Sequence, residues 1–594
     1  MIRESLEKAA DRLRSAAGNS RLLGALGRPD DERGQGSARR GRWHRNVLRE
    51  SESGILFRWF RMARDGFFSA HLRSVGFFLF AWGLSSVAVA LIRVPFELRN
   101  PVFGIPLAVS VSALSLCFSG RTVAHGLTND FLTGNFLLGF CRFSLSLFEA
   151  LPRATHTLRA LFAGFALGVL SAFVHPMWLP VVISGSLVLL LGFAVPEVTL
   201  IPILLGFPFF GLLPHPSLLL GGLSLFSFVC WVPKALSGHR QYRFLKIDFA
   251  VLLFAAILIA GSAVTAAGVD GLGALLAVYL LAAWFPVRTG LTSALWRRRA
   301  IGCLLFSGSV CAAIGVVQYL LGRGEVRWLD VSRFGDLGGR VSSTFGNPNI
   351  LAVFLLIVFP LSLGALFTTE RGHWFALIPL FLSGVCLIFT WSRGAWLGAI
   401  AATVFFLLLL GRGTLVALMV SPLALTGVLP WLPNGIRKRF ESIGNLAESS
   451  SRYRVNTWKG VVRMIRAHPF GIGSGENAFH AVFPKFAVSG TESVMHAHNV
   501  FLQVAVEYGI VSVVLLLTVL WLLSRSFFAA RSANSSNSDG ALMLGTMSAL
   551  VSLSVMGMFD HLWYQPTLFY LIWFVAALLL AQTEAAGEES FYGS

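Results

Sequence analysis

The feature that most limits this chain is its return, from about Val75 to Gln582, to uncharged apolar runs of roughly 18 residues or more, long enough for a helix to cross a bilayer. Inside lipid every backbone N–H and C=O must be satisfied within the segment, so such runs fold as helices. With 55% hydrophobic and 13% charged residues, the expected fold class is an all-α polytopic membrane protein. Spans are predicted at roughly 75–94, 102–119, 158–175, 177–194, 198–214, 216–234, 248–266, 272–288, 299–321, 348–368, 374–391, 394–411, 413–431, 499–523, 541–558 and 563–582. PILLGFPFFGLLPHP, within 198–214 and just after it, also reads as a broken or re-entrant helix, so the total is about 12–16 transmembrane helices.

The chain divides into a basic N-terminal tail (1–74), an N-terminal transmembrane region (75–298), a later transmembrane region (299–582) with a large extracytoplasmic loop at 433–498, and a C-terminal tail (583–594). The first tail, rich in Gly, Ser, Asp and Arg, is expected to be partly disordered and cytoplasmic, with no secretory signal before the first span, and the last tail is also expected in the cytoplasm. The net charge of +19 does not call for nucleic acid. Its excess sits in that tail and in short loops, as the positive-inside rule requires, and Arg58, Arg61 and Arg64 suit contact with anionic membrane lipids. The 6 cysteines give no disulfide or metal framework.

The basic loops His239–Lys246, Arg297–Ala300 and Ser524–Ser532 are expected on the cytoplasmic side. Counting spans from Arg297 then puts four polar clusters together on the outer face: Arg340–Asn349 (RVSSTFGNPN), Trp391–Gly394 (WSRG), Ser451–Trp458 (SRYRVNTW) and His496–Asn499 (HAHN). Arginines bind phosphate oxygens bidentately and stay charged at any working pH. Histidine takes a proton near neutrality. Together they suit glycosyl transfer from a lipid-linked diphosphate sugar, the arginines holding the leaving diphosphate and a histidine activating an acceptor hydroxyl. The outer loops carry scattered acids but no D-x-D pair, and no P-loop is present, so a metal-bound nucleotide sugar is not expected, nor is a cofactor.

Each residue has a plainer reading. Arg393, between Trp391 and Trp396, also reads as an interfacial anchor with a snorkelling stem. Arg340 also reads as a ligand of backbone carbonyls, Asn349 as a helix cap, Arg454 as one solvated arginine of a basic loop, and His496, His498 and Asn499 as an interfacial helix start. A long basic segment on the outer side breaks the positive-inside tendency, and that favours an anionic ligand there. Glu507, about 900° around the helix from His498, falls on the opposite face and is expected to bond a neighbouring helix.

RVSSTFGNPNILA, WSRGAWLGA, RVNTWKGVVRMIRAHPFGIGSGENAF and HAHNVFLQVAVEYG, in that order over about 301–582, resemble the O-antigen ligase and polymerase superfamily. The wording of FGIGSGENAFHAVFPKF and AHN is similar to the branch once labelled inorganic-carbon transporters. The family pattern of histidine, Asn/Ser/Gln, nine residues and glycine falls on His498, Asn499 and Gly509; Ser512 stands where Gly, Thr or Tyr is favoured. The resemblance implies that His498 activates the acceptor, that Arg393 and Arg454 bind the donor diphosphate with Arg340 as a further candidate, and that Asn349, Asn499, His496, Trp458 and Gly509 support the site. It also implies a metal-independent, inverting transferase of the bacterial cytoplasmic membrane. The donor would be an undecaprenyl-diphosphate-linked glycan and the acceptor a glycan, lipid or protein. The loop before His498 would be a lid, its GIGSGENAF stretch supplying backbone amides and glycine hinges. Two other classes stay open: a carrier of a glycolipid or a small anion such as bicarbonate, and a non-catalytic envelope-assembly protein.

Overall fold

The computed structural model describes residues 71–93, 101–118, 157–171, 195–236, 242–263, 271–323, 339–368, 373–411, 449–533, 538–563 and 565–592, with a few single positions between. The Arg-rich tail and the spans expected at 177–194 and 413–431 lie outside them. Among the described residues the regular structure is helical and there is no strand. Ten of the described helices are long and apolar enough to cross a membrane, and four shorter apolar helices accompany them. The chain is an all-α polytopic membrane protein.

Two compact units are present. The first holds α1 (Leu72–Arg93), α2 (Pro101–Cys117) and α3 (Thr157–Ser171). Small polar side chains stitch α1 to α3: Ser85 Oγ donates to Phe165 O at 3.3 Å and Ser86 Oγ to Gly168 O at 3.1 Å. Interhelical bonds of this kind hold helices where lipid offers no hydrophobic drive.

The second unit begins with the expected broken helix. Pro202 and Pro208 interrupt the apolar run, which folds as a 3-10 turn, α4 (Leu200–Gly206) and a second 3-10 turn. Then come α5 (Pro216–Leu236, whose last turns belong to the first unit), α6 (Lys246–Ala263), α7 (Leu272–Gly290), α8 (Ala294–Leu320), α9 (Pro348–Leu366), α10 (Leu377–Phe389) and α11 (Arg393–Leu410). The helices α12 (Ser449–Ala467) and α13 (Glu476–Val482) follow, then α14 (Val500–Tyr508), α15 (Ile510–Ala533), α16 (Ser538–Gly557) and α17 (Pro566–Tyr592). Helices α9 and α16 cross in backbone contact, because a Cβ on Gly364 would lie 2.7 Å from Ala541 O and 3.0 Å from Gly545 Cα.

One end of this unit, at the starts of α6, α8 and α16 and the ends of α7 and α17, is tied by buried ion pairs. Arg288 pairs with Asp248 and, at 2.6 Å, with Glu584, and also donates to Tyr242 Oη at 2.6 Å and Arg243 O at 2.9 Å. Trp284 Nε1 donates to the other Asp248 oxygen at 2.8 Å, and Arg297 pairs with Asp539. The final helix therefore runs past Gln582 to Tyr592, since Glu584 has this partner.

The apolar stretch from Asn499 to Leu523 is two helices rather than the single span expected. At Gly509 φ is +83°, and a Cβ there would lie 2.7 Å from the Phe470 carbonyl carbon. The glycine loop before α13 fills the break: Ile472 N–H donates to Val506 O, Gly473 N–H to Glu507 O, and Ile510 N–H to Pro469 O. Gly509→Ala should destabilise the protein by about 1–3 kcal/mol, from the left-handed backbone and the clash together. Thermal unfolding of the solubilised variant checks this, and a midpoint equal to wild type would count against it.

Candidate functional site

The opposite end of the second unit gathers the four polar clusters. Asn347 caps α9, its side chain accepting from Asn349 N–H at 2.8 Å, so the cap is Asn347 and not Asn349. Asn349 Oδ1 instead accepts from Arg340 Nη2 at 2.6 Å, and Arg340 Nε donates to Thr390 O at 2.7 Å. Arg340 is buried in the carbonyl-binding position that its plainer reading described, and it joins the first cluster to the second.

Arg393 opens α11 and is only 8% exposed, and Trp396, at 6%, donates its indole N–H to Leu387 O at 3.0 Å. Neither is a surface anchor on the protein. Arg393 lies within electrostatic reach of Arg454.

The expected loop is, where described, a folded layer. Val461, Met464, Ile472, Phe479, Phe483 and Val494 form a core with Ala497 and Val506. Helix α12 is amphipathic. Arg452, Lys459, Arg463 and Arg466 are exposed and share an arc of about 60°, whereas Arg454 is half-buried and points about 150° away from the middle of that arc. Geometry thus separates Arg454 from its basic neighbours. Trp458 Nε1 donates to Ala497 O at 3.0 Å, tying α12 to the histidine loop. The amides of the glycine loop do not form an anion cradle: those of Ile472, Gly473 and Ser474 donate to Val506, Glu507 and Gly261 carbonyls.

His498 has φ of +47°, and Ser343 and Trp391 are also non-glycine residues with positive φ. Such strain persists only where surroundings impose it, and here it marks three of the four clusters. Asn499 caps α14, accepting from Leu502 N–H at 3.0 Å, and donates to Met558 O at 3.0 Å. Glu507 accepts from Gln503 Nε2, one turn earlier on the same helix, at 2.9 Å, and Gln503 Oε1 accepts from Ala497 N–H at 2.6 Å. The expected bond was to a neighbouring helix; the bond to Gln503 lies within α14, and through it Glu507 steadies the turn that carries His498. Gln503→Leu should cost about 1–3 kcal/mol by stranding the Ala497 amide and the Glu507 carboxylate. Denaturation of the solubilised protein measures it, and an unchanged midpoint would argue that water takes the amide's place.

The α16–α17 turn supplies a group that the motifs did not predict. Asp560 Oδ1 lies 3.3 Å from His498 Nδ1, with side chains 10% and 26% exposed, and it also accepts from His561 N–H at 2.9 Å. Burial pushes the Asp560 carboxyl up, but the His498 hydrogen bond and the charge of Arg454 outweigh it and hold the group well below the usual carboxylate range. His496 Nδ1 accepts from His498 N–H at 3.2 Å, and the two rings lie 4.1 Å apart with His561 5.4 Å from His496. Burial, with His498 beside it, pushes His496 well below the ordinary imidazole value. Burial likewise takes His561 down to about 4. His496, His498 and Asp560 also form a donor set of the kind that holds a metal ion. The outer-loop acids weighed in the sequence lay before His498, and a lone Asp beside a histidine at the end of an apolar run was the available signal.

All of these residues lie in one compact unit, with Arg454 in electrostatic reach of Arg393, His496 and Asp560. The chain matches no curated protein. Residues 378–517 match the family model described as O-antigen ligase, a narrower stretch than the motifs cover, which includes Arg393, Arg454 and His498 and leaves out Arg340, Asn349 and Asp560. Over that segment the chain is similar to the O-antigen ligase family.

Proposed function

We propose that this protein transfers glycan from an undecaprenyl-diphosphate-linked donor to an acceptor hydroxyl at the outer face of the bacterial cytoplasmic membrane. The observation that carries this reading is the His498–Asp560 pair beside Arg454 and Arg393. With Nδ1–H donated to Asp560, His498 Nε2 is the nitrogen left to accept a proton. It takes that of the acceptor hydroxyl as the oxygen attacks the sugar C1. The bond from C1 to the diphosphate oxygen breaks on the other side with inversion, and undecaprenyl diphosphate leaves with the electron pair. Arg393 and Arg454 compensate that charge, so transfer needs no divalent cation, and Asp560 stabilises the imidazolium. Arg340 serves by holding the Thr390–Arg393 turn and Asn349 in place. The ion-paired, basic end of the unit suits the cytoplasmic side, which leaves the site outside.

The test is transfer in reconstituted vesicles supplied with undecaprenyl-diphosphate oligosaccharide and lipid, glycan or protein acceptors, in the presence of a chelator. Product formed under these conditions supports the reading. Donor binding without product from any acceptor would favour a carrier.

A further inference from the structure

Proton transfer at this site uses one imidazole and one orienting carboxylate, yet the structure gathers more. His496, His498 and Asp560 each bring a ligand atom to within 4.8 Å of the others. Two imidazoles and a carboxylate are a donor set taken by Zn2+ and its neighbours, with bonds of about 2.0–2.2 Å. A tetrahedral ion with such bonds holds its ligands about 3.4 Å apart, so no pair here needs to close by more than about 1.4 Å. The His496 and His498 rings already lie face to edge at 4.1 Å, and side-chain rotation supplies the rest. His561, its ring 5.4 Å from that of His496, flanks the cluster.

We infer that His496, His498 and Asp560 bind a first-row divalent transition metal ion, Zn2+ above all, and that the bound ion blocks acceptor activation. The binding stands on the cluster alone. The inhibition rests on the proposed role of His498, since an ion shared with Asp560 takes Nδ1 and leaves the ring proton on Nε2, where the acceptor proton would have to go, and draws Asp560 away. Imidazole donors favour Zn2+, Cu2+ and Ni2+ over Mg2+ and Ca2+, so the site discriminates against the hard cations abundant at membrane surfaces. The charge of Arg454 opposes the ion and keeps the binding reversible.

The experiment uses the tag-free, full-length protein in detergent, titrated with Zn2+ against a chromophoric chelator. One equivalent should bind, at least tenfold more weakly in His496→Gln and in Asp560→Asn, with no competition from Mg2+. Electron paramagnetic resonance of Cu2+ on the wild-type protein needs no variant and should show splitting from two imidazole nitrogens. Equal Zn2+ affinity in both variants, or a Cu2+ spectrum without nitrogen splitting, would overturn the site. In the vesicle assay Zn2+ should stop transfer and a chelator restore it. Transfer unaffected at saturating Zn2+ would overturn the inhibition. A wild type inert in every assay while Zn2+ still bound would count against the transferase reading and for the metal site.

Discussion

Glycan transfer by a His498→Ala variant is expected to fall by about 10²–10⁴-fold, the usual contribution of a positioned general base. The loss should lie in kcat, because the imidazole accepts a proton only as the acceptor oxygen attacks, and donor binding should persist on Arg393 and Arg454. Asp560→Asn should move kcat in the same direction and by less, since the carboxylate orients the ring and stabilises its cation without taking the proton. The 3.3 Å separation leaves room for that bond to shorten in the transition state. Initial rates in vesicles, with thermal unfolding as a control for folding, measure both. Wild-type kcat in His498→Ala would end the base assignment.

The second large effect is expected at Arg454. Lysine keeps the charge but gives up the planar fork that meets two phosphate oxygens, so Arg454→Lys should lower kcat/KM for the donor about 10- to 100-fold, the worth of one charge-assisted hydrogen bond or a little more. Arg393→Lys should behave alike, because the buried start of α11 gives the lysine ammonium no room to find another pose. Arg452→Lys, two residues from Arg454 but on the exposed face of α12, should change the rate by less than about twofold. If the Arg452 and Arg454 exchanges were equally mild, the basic helix would be a solvated face and the diphosphate would be held elsewhere.

The helices were legible because an apolar run of spanning length has no other way to satisfy its backbone. The polar clusters were legible because charge at a membrane boundary needs a reason. Three things were hidden, each for a physical cause. Asp560 lies 62 residues beyond His498, and only the packing of the end of α16 against the start of α14 brings it there. The break at Gly509 is silent in hydropathy, since Tyr508-Gly509 interrupts no apolar run; the loop that fills it comes from a segment about 35–40 residues earlier. Arg454 could be told from Arg452 only once 449–467 was seen to be helical, because helical period decides which arginine of a basic segment turns inward. A segment treated as a loop has no period to apply.

The break at Gly509 also fixes a depth. Helix α15 has 24 residues, about 36 Å of helix, which is enough by itself to cross a hydrocarbon layer of about 30 Å. The nine residues of α14 add about 13 Å that the crossing does not use. His498 therefore has no need to sit among acyl chains. The proposed transfer, staged on that surplus length, would meet the diphosphate at the level of the lipid headgroups, where a polar acceptor could reach it without leaving water and the polyprenyl tail could stay in the membrane.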